Sequence, residues 1–561
     1  MLRSNRVNNP MRRAQWLALG LSDEDMQKPK IAVVNSSSEL AICFSHLDGI
    51  AAVVKQAVRE AGGLPFEIRT TAPSDFIINS GRGGNYILPS RDLLTNDIEV
   101  TVEGAQLDGM ICLASCDKTL PGQVMAAARL NIPTIIVICG YQQSGEVRGA
   151  HCDIEDVFVA SAAAAMGRIS QDELREMSAN AIRSPGVCSG LGTANTMHSV
   201  CEALGMCLPG AAPVRANSEK MFDYARRSGA RIVEMVNEDL RPRAILTPAA
   251  FANAVSMVLA ISGSINAIKH LQAIAIEGQV DVDIYKLFDE IGRQIPVLCA
   301  IRPNGDHPIE AFEDAGGARA VMKRLEPLLP TWALTVTGRT LAENLAGVTV
   351  ADPEVIRPLD NPYSREPAIV LLRGSLAPGC GVVKIGLRGE GRPTQFRGPA
   401  KVFEDRGPAL EAIRTGRIQA GDVLVLRGDG VKSGPGMGGA ANMAVFALDG
   451  VGLALKVAVV TDGQMSGLAN KGLVVAEIEP EAGVPGPLAV IRDGDIVSID
   501  LALRRIDLEV PAAELTARIQ QTPPLQKPDG RGWLSIYRRT ALSLDQGASL
   551  APAPAPVKTV L

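Results

Sequence analysis

The sequence predicts an α/β protein: an N-terminal doubly wound parallel-sheet domain with many helices, then a C-terminal β-rich, barrel-like domain. Three observations predict it. Strand-like and helix-like segments alternate in the first part, helices dominate from about Asp153 to Leu328, and short β runs separated by Gly and Asp turns recur after about residue 365. At 561 residues the chain is too long for one hydrophobic core, so more than one domain is expected.

The elements follow in order. "KIAVVNS" (30–36) has the pattern of a short buried strand, and "HLDGIAAVVKQAVREAGG" (46–63) that of an amphipathic helix. Leu47, Ile50, Val54, Ala57 and Val58 recur there at helical spacing, and Gly62-Gly63 ends the pattern. "GMICLA" is the next strand, "GQVMAAARLN" a helix and "PTIIVICG" another strand. This βαβα order implies a parallel sheet. "TMHSVCEALGM", "AFANAVSMVLAIS" and "NAIKHLQAIAIEG" read as helices. The stretch 329–366, rich in Pro and polar residues, marks a boundary between a domain at 1–350 and a second at 365–545. The second carries the β runs "AIVLLRG", "GVVKIG", "DVLVLRG", "LKVAVVTDG", "LVVAEIEP", "PLAVIRDGDIVSIDL" and "RIDLEV", with a helix at "PAAELTARIQQ". A flexible tail is expected at 546–561, where "APAPAP" precludes regular structure.

Composition narrows the function. The net charge is −5 and there is no basic block, which argues against nucleic acid as a partner. The opening "MLRSNRVNNPMRRAQW" lacks an apolar signal core, and no apolar stretch reaches membrane-spanning length. A cytoplasmic protein with no membrane partner is expected. Its ten cysteines lack short spacings, and most read as small buried hydrophobes.

Three cysteines stand in comparable settings. Cys43 ("AICFSHL") and Cys116 ("ASCDKT") each lie between a strand and the next helix, and Cys188 ("SPGVCSGLGTANTM") lies in a Gly-rich loop before a helix. Open α/β sheets place ligands where the first two loops emerge. The three are 73 and 72 positions apart, far outside zinc-finger spacing. They are therefore either unrelated cysteines or three ligands of one iron–sulfur cluster with an open iron position. Asp117 and Lys118 share the loop with Cys116. A carboxylate suits Mg²⁺ and a thiolate suits iron. Lysine joins a Mg²⁺ site only when CO₂ caps it as a carbamate. Taken alone, the Asp-Lys pair reads as a helix start with a solvated lysine.

At this point the chain resembles the dihydroxy-acid dehydratase / phosphogluconate dehydratase family, which includes sugar-acid dehydratases. The resemblance is carried by "IAVVNS", "LPSR" (88–91), "CDKTLPG", "GLGTANTM", "EALGM", "SGSINAIKHLQAIA", "LRGSLAPG", "SGPGM", "TDGQMSG" and "IRDGDIVSID", spread over nearly the whole length. It implies a 2Fe-2S cluster on Cys43, Cys116 and Cys188, some members carrying 4Fe-4S instead. It implies Mg²⁺ on Asp75, Asp117, carbamylated Lys118 and Asp429, with Ser466 as general base. It implies a hydro-lyase that converts a 2,3-dihydroxy acid to a 2-keto acid. It also implies a homodimer or homotetramer. The N-terminal part looks more like the branched-chain biosynthetic dehydratases. "DKT" is frequent in the sugar-acid enzymes, so an aldonic acid is the alternative substrate.

Several positions depart from the family pattern. Phe44 follows Cys43, Phe76 follows Asp75, Arg82 stands where relatives carry Gly or Glu, Asp429 replaces Glu, and Leu468-Ala469 follow Ser466. The missing methylene at Asp429 shifts a ligand by about an ångström, which can slow a reaction ~100-fold. A cation at Arg82 would either repel Mg²⁺ or bind a substrate carboxylate or phosphate. Together these departures point to an unusual substrate or a paralogue with weakened dehydratase activity, and Arg82 with the altered Ser466 loop supports a reading of another class, a non-catalytic iron–sulfur sensor. His46, His151 and His198 are expected to pack or cap rather than react.

Overall fold

The computed structural model describes residues 9–71, 74–79, 81–387, 391–437, 439–466, 471–527 and 531–550. Leu468, Ala469 and the "APAPAP" segment lie outside them. The first sheet is built from β1 (Lys30–Asn35), β2 (Leu64–Arg69), β3 (Gly109–Ala114) and β4 (Thr134–Ile138), all parallel, in the order β2-β1-β3-β4. Helices α1 (Leu47–Glu60), α2 (Ile87–Ala105) and α3 (Thr119–Leu130) make the crossovers. Every residue of β1, β3 and β4 is buried, as expected for a parallel sheet covered on both faces.

The strand order sets the site. The chain leaves β1 for β2 on one side, then crosses back past β1 to β3 on the other. The carboxyl ends of β1 and β3 therefore form a topological switch point, where loops diverge and leave a crevice. Cys43 follows β1 and Cys116 follows β3. Helices α2 and α3 pack closely beneath. A Cβ on Gly122 of α3 would lie 2.7 Å from the Arg91 carbonyl oxygen of α2, so only glycine permits that approach.

A two-stranded hairpin, β5 (Gly145–Val147) and β6 (Ala150–Cys152), leads into α4 (Ile154–Ala165). Asp153 caps α4 by accepting from the Glu155 and Asp156 amides, and Asp156 accepts in return from the Asp153 amide. Further on come α5 (Thr193–Ala203), α6 (Glu219–Glu238) and α7 (Asn266–Gly278). The helices predicted at 196–206 and 250–262 are present, shifted by a few residues toward the N-terminus, and the one predicted at 266–278 coincides with α7.

The second sheet has eight strands: β7 (Ile369–Leu372), β8 (Cys380–Lys384), β9 (Gln395–Phe403), β10 (Val423–Leu426), β11 (Ala458–Thr461), β12 (Leu473–Glu479), β13 (Ile496–Asp500) and β14 (Arg505–Leu508). Their order is β14-β13-β9-β10-β11-β12-β8-β7. Arg373, just past β7, bridges to Arg505 of β14, which brings the two edges together in a nearly closed barrel. The inner face carries Val370, Leu372, Val425, Val460, Val475 and Ile506. The four neighbours β9 to β12 are parallel, joined in part by helices α8 (Arg406–Arg414) and α9 (Gly439–Gly450). Outward residues Leu424, Leu426 and Val459 pack under these helices into the main core, which is why β10 and β11 are apolar on both faces.

The barrel is tied to the helical layer by charge. Lys269 of α7 and Glu477 of β12 form an ion pair in which both side chains are wholly buried, and Tyr285 Oη donates to the same carboxylate at 3.1 Å. Lys269→Met strands that carboxylate, and the expected loss is about 3–5 kcal/mol, read as a lowered unfolding midpoint. Residues 547–550, assigned to the tail by the sequence reading, are packed. Arg91, fully buried, donates to the Gly547 and Ala548 carbonyls at 2.9 and 3.0 Å, and Leu542 pairs with Ser549. Among the described residues no helix is long and apolar enough to cross a membrane.

Candidate active site

The switch-point crevice opens into a cleft lined by residues from distant segments. Asp75, Cys116, Asp117, Cys188 and Ser466 all line it. Five of the eight residues that the resemblance implied are thus on one surface. Asp75 opens a short helical turn after β2, Cys116 and Asp117 sit in the loop after β3, Cys188 precedes α5, and Ser466 follows β11 of the barrel. Phe76, Ile87, Phe158 and Met437 supply an apolar wall.

Cys43 and Lys118 stand directly behind this surface. The Cys116 thiol faces the Cys43 thiol, and that contact, ahead of burial, raises its pKa well above the usual range. The Ser115 hydroxyl donates to the Cys43 carbonyl, which locks the two loops together. The Cys188 thiol is also pushed well up, first by burial and then by Glu155 and Asp117. Asn195 of α5 holds its loop by donating to the Cys188 and Gly190 carbonyls, both at 2.8 Å.

Lys118 corrects the local reading of a solvated lysine: its side chain is only 2% exposed. Its Nζ lies 3.2 Å from Asp75 Oδ2 and 3.7 Å from Asp117 Oδ2. The α3 start therefore turns an amine inward, toward two carboxylates. Burial raises the Asp75 pKa to about 7, with Lys118 opposing and Asp117 adding to the shift. Asp75 Oδ1 is buried with no hydrogen-bond partner.

Asp429 does not line the cleft. It is buried, its pKa raised to about 7 by burial and then by Asp462, and its Oδ2 is without a partner. Asp462 nonetheless couples it to the cleft. Its carboxylate accepts from the Gly428, Asp429 and Ala482 amides at 3.0, 2.9 and 3.0 Å, so the 428–430 loop rides on the loop that ends at Ser466. The Ser466 amide donates to Asn442 Oδ1 of α9 at 3.0 Å, which fixes the serine against the cleft wall.

The histidines behave as expected. His46 bonds the Cys139 carbonyl at 2.8 Å, His198 the Ser115 carbonyl at 3.1 Å, and His151 Asp153 at 2.9 Å. Arg82 is exposed and does not line the cleft. Residues that the sequence did not single out also reach the cleft: Glu155, Thr193, Asn266 and Asn442. Glu155 follows the helix cap Asp153, where an acid is ordinary, so no local signal marked it.

Fold and site define an enzyme: buried thiols, carboxylates and a serine converge on one cleft between a parallel sheet and a barrel. Residues 28–344 match the family model described as dihydroxy-acid/6-phosphogluconate dehydratase N-terminal, and residues 354–548 match its C-terminal counterpart. The dihydroxy-acid dehydratase of Ignicoccus hospitalis is 42% identical over 96% of this chain and 97% of its own length. That of Methanothermobacter thermautotrophicus is 41% identical over 98% and 100%, and that of Pyrococcus furiosus 40% over 96% and 97%. The chain belongs to the dihydroxy-acid/6-phosphogluconate dehydratase family, whose members are hydro-lyases.

Proposed function

We propose that this protein dehydrates a 2,3-dihydroxy acid to a 2-keto acid, with Ser466 as the base. The observation that carries this reading is the convergence of Asp75, Cys116, Asp117, Cys188 and Ser466 on one cleft from four separate segments, the last of them in the barrel.

The donor set fits two unlike metal centres. Buried thiols beside carboxylates are unfavourable as thiolates unless a cation shares the space. Cys43, Cys116 and Cys188 would hold a 2Fe-2S cluster. Asp75 and Asp117, with Lys118 as its carbamate and Asp429 from the barrel side, would hold Mg²⁺, a hard ion suited to oxygen ligands. The orphaned oxygens of Asp75 and Asp429 are the free valences such an ion would use. When bound, these centres supply Lewis acidity to the C3 hydroxyl and to the carboxylate and C2 hydroxyl.

The protein's own groups do the rest. Ser466, as its alkoxide, removes the C2 proton while the C3 hydroxyl departs, and the enol takes a solvent proton at C3 to become the 2-keto acid. The Asn442 bond keeps the Ser466 backbone in register with the cleft. Phe76 and Phe158, edge to face at 5.7 Å, screen one side from water. The test is to purify the protein anaerobically, record its visible spectrum and assay 2-keto acid formation with Mg²⁺ over a panel of branched-chain dihydroxy acids and aldonic acids. Colour with turnover is expected. A coloured protein inert on every substrate would instead favour an iron–sulfur sensor.

A further inference from the structure

We propose that Glu155 is a substrate-binding residue that accepts a hydroxyl from beyond C3, so that the preferred substrate is a polyhydroxy (aldonic) acid rather than an alkyl dihydroxy acid. The assignment rests on the dehydratase reading and deepens it. Glu155 is 6% exposed and lines the cleft, which it separates from an adjoining pocket bounded by His151, Asp153 and Arg302. Its carboxyl lies against the bare backbone of the Cys188–Thr193 loop. A Cβ on Gly190 would come within 2.3 Å of one carboxyl oxygen, and a Cβ on Gly192 within 2.8 Å of the other. Glycines at both positions leave room for the carboxyl. Among the described residues no side chain or amide donates to it, although Asp153 and Asp156, its neighbours in the cap, are fully engaged with His151, Arg302 and each other.

A second acceptor in the cleft is in the same position. Asn266 of α7 spends its amide N–H on Thr193 Oγ1 at 2.8 Å, and its Oδ1 is buried with no partner. Two enclosed acceptors without donors call for hydroxyls on the ligand, because a buried polar group left unpaired opposes binding. A carboxyl group offers a lone pair whether or not it carries a proton, so this need does not depend on its ionisation. The C2 and C3 hydroxyls take part in the reaction itself. Further donors must therefore lie along the rest of the carbon chain. A branched alkyl tail has none and would bury methyl groups against the carboxyl.

The experiment is calorimetric titration of the anaerobic holoenzyme with two product-type acids. These are 2-keto-3-deoxygluconate, which bears hydroxyls from C4 onward, and 2-ketoisovalerate, which bears only methyl groups. Wild type is expected to bind the first at least about 100-fold more tightly, since sites built to bond a hydroxyl reject analogues that lack it. Glu155→Val is expected to remove most of that ratio, and Glu155→Gln to keep most of it, because the amide oxygen still accepts. Equal or tighter binding of 2-ketoisovalerate by wild type overturns the assignment, as does an unchanged ratio in Glu155→Val. Loss of iron or magnesium from either variant also overturns it, because the carboxyl then serves a metal. If wild type shows the binding ratio yet dehydrates neither parent acid, the dehydratase reading fails and the role of Glu155 stands.

Discussion

Ser466→Ala lowers kcat by about 10³-fold and leaves the iron content and colour of the anaerobic protein unchanged. Removing a general base typically slows a reaction by roughly 10²- to 10⁴-fold. The substitution deletes one oxygen and keeps the backbone amide that bonds Asn442, so the loop is held as before. The serine comes from the barrel, whereas the three thiols come from loops of the parallel-sheet part, so its loss does not disturb their setting. KM is expected to change little, because the hydroxyl acts on the C2 proton rather than on a binding group. Colour lost together with activity would move Ser466 from the chemistry to the integrity of the metal site.

Cys116→Ser is expected to lose both colour and turnover, to below about 1% of wild type. Cys116 is 7% exposed, faces Cys43 and lines the cleft beside Asp117. A serine hydroxyl is a harder and far less acidic ligand than a thiol and does not suit iron. The Ser115 bond to the Cys43 carbonyl and the Thr119 bond to the Cys116 carbonyl are kept, so the loop itself survives. Cys299→Ser is the control. That thiol is wholly buried in the helical core and away from the cleft, so the variant is expected to be less stable but still coloured. Iron and sulfide per chain, measured for both variants, decide the matter.

Local rules made much of this fold readable. Period and punctuation were enough to mark β1, α1, β3, α3 and β4, because Gly and Pro bound each apolar run. The same rules placed Cys43 and Cys116 after strands. They did not reveal that β1 and β3 are neighbours with β2 outside them, which is what joins the two loops, since strand order is set by packing across the whole sheet. In the barrel seven of the eight strands were visible as β runs, but β9 and the parallel pairing of β9 to β12 were not. Of their crossover helices, α9 lies in a stretch rich in Gly and Ala with little periodic contrast, and α8 is short.

The site was legible in uneven fashion. Cysteines in loops stand out by type, whereas an inward lysine at a helix start looks like any solvated one. Lys118 is buried because Asp75, 43 positions earlier, meets it there. Glu155 was hidden by the cap around it. Three acids in a four-residue run at a helix start satisfy the dipole, and nothing local tells which of them turns inward. The glycines at 190 and 192 that admit it are distant in sequence.

The most direct test of the account is the reaction run in D₂O, with anaerobically prepared protein, Mg²⁺ and a mixture of branched-chain and aldonic 2,3-dihydroxy acids, followed by proton NMR. The account predicts a 2-keto acid that carries a single solvent deuteron at C3, the mark of an enol formed by C2 deprotonation and loss of the C3 hydroxyl. A metal-loaded protein that forms no 2-keto acid, or forms one with no deuterium at C3, would contradict it.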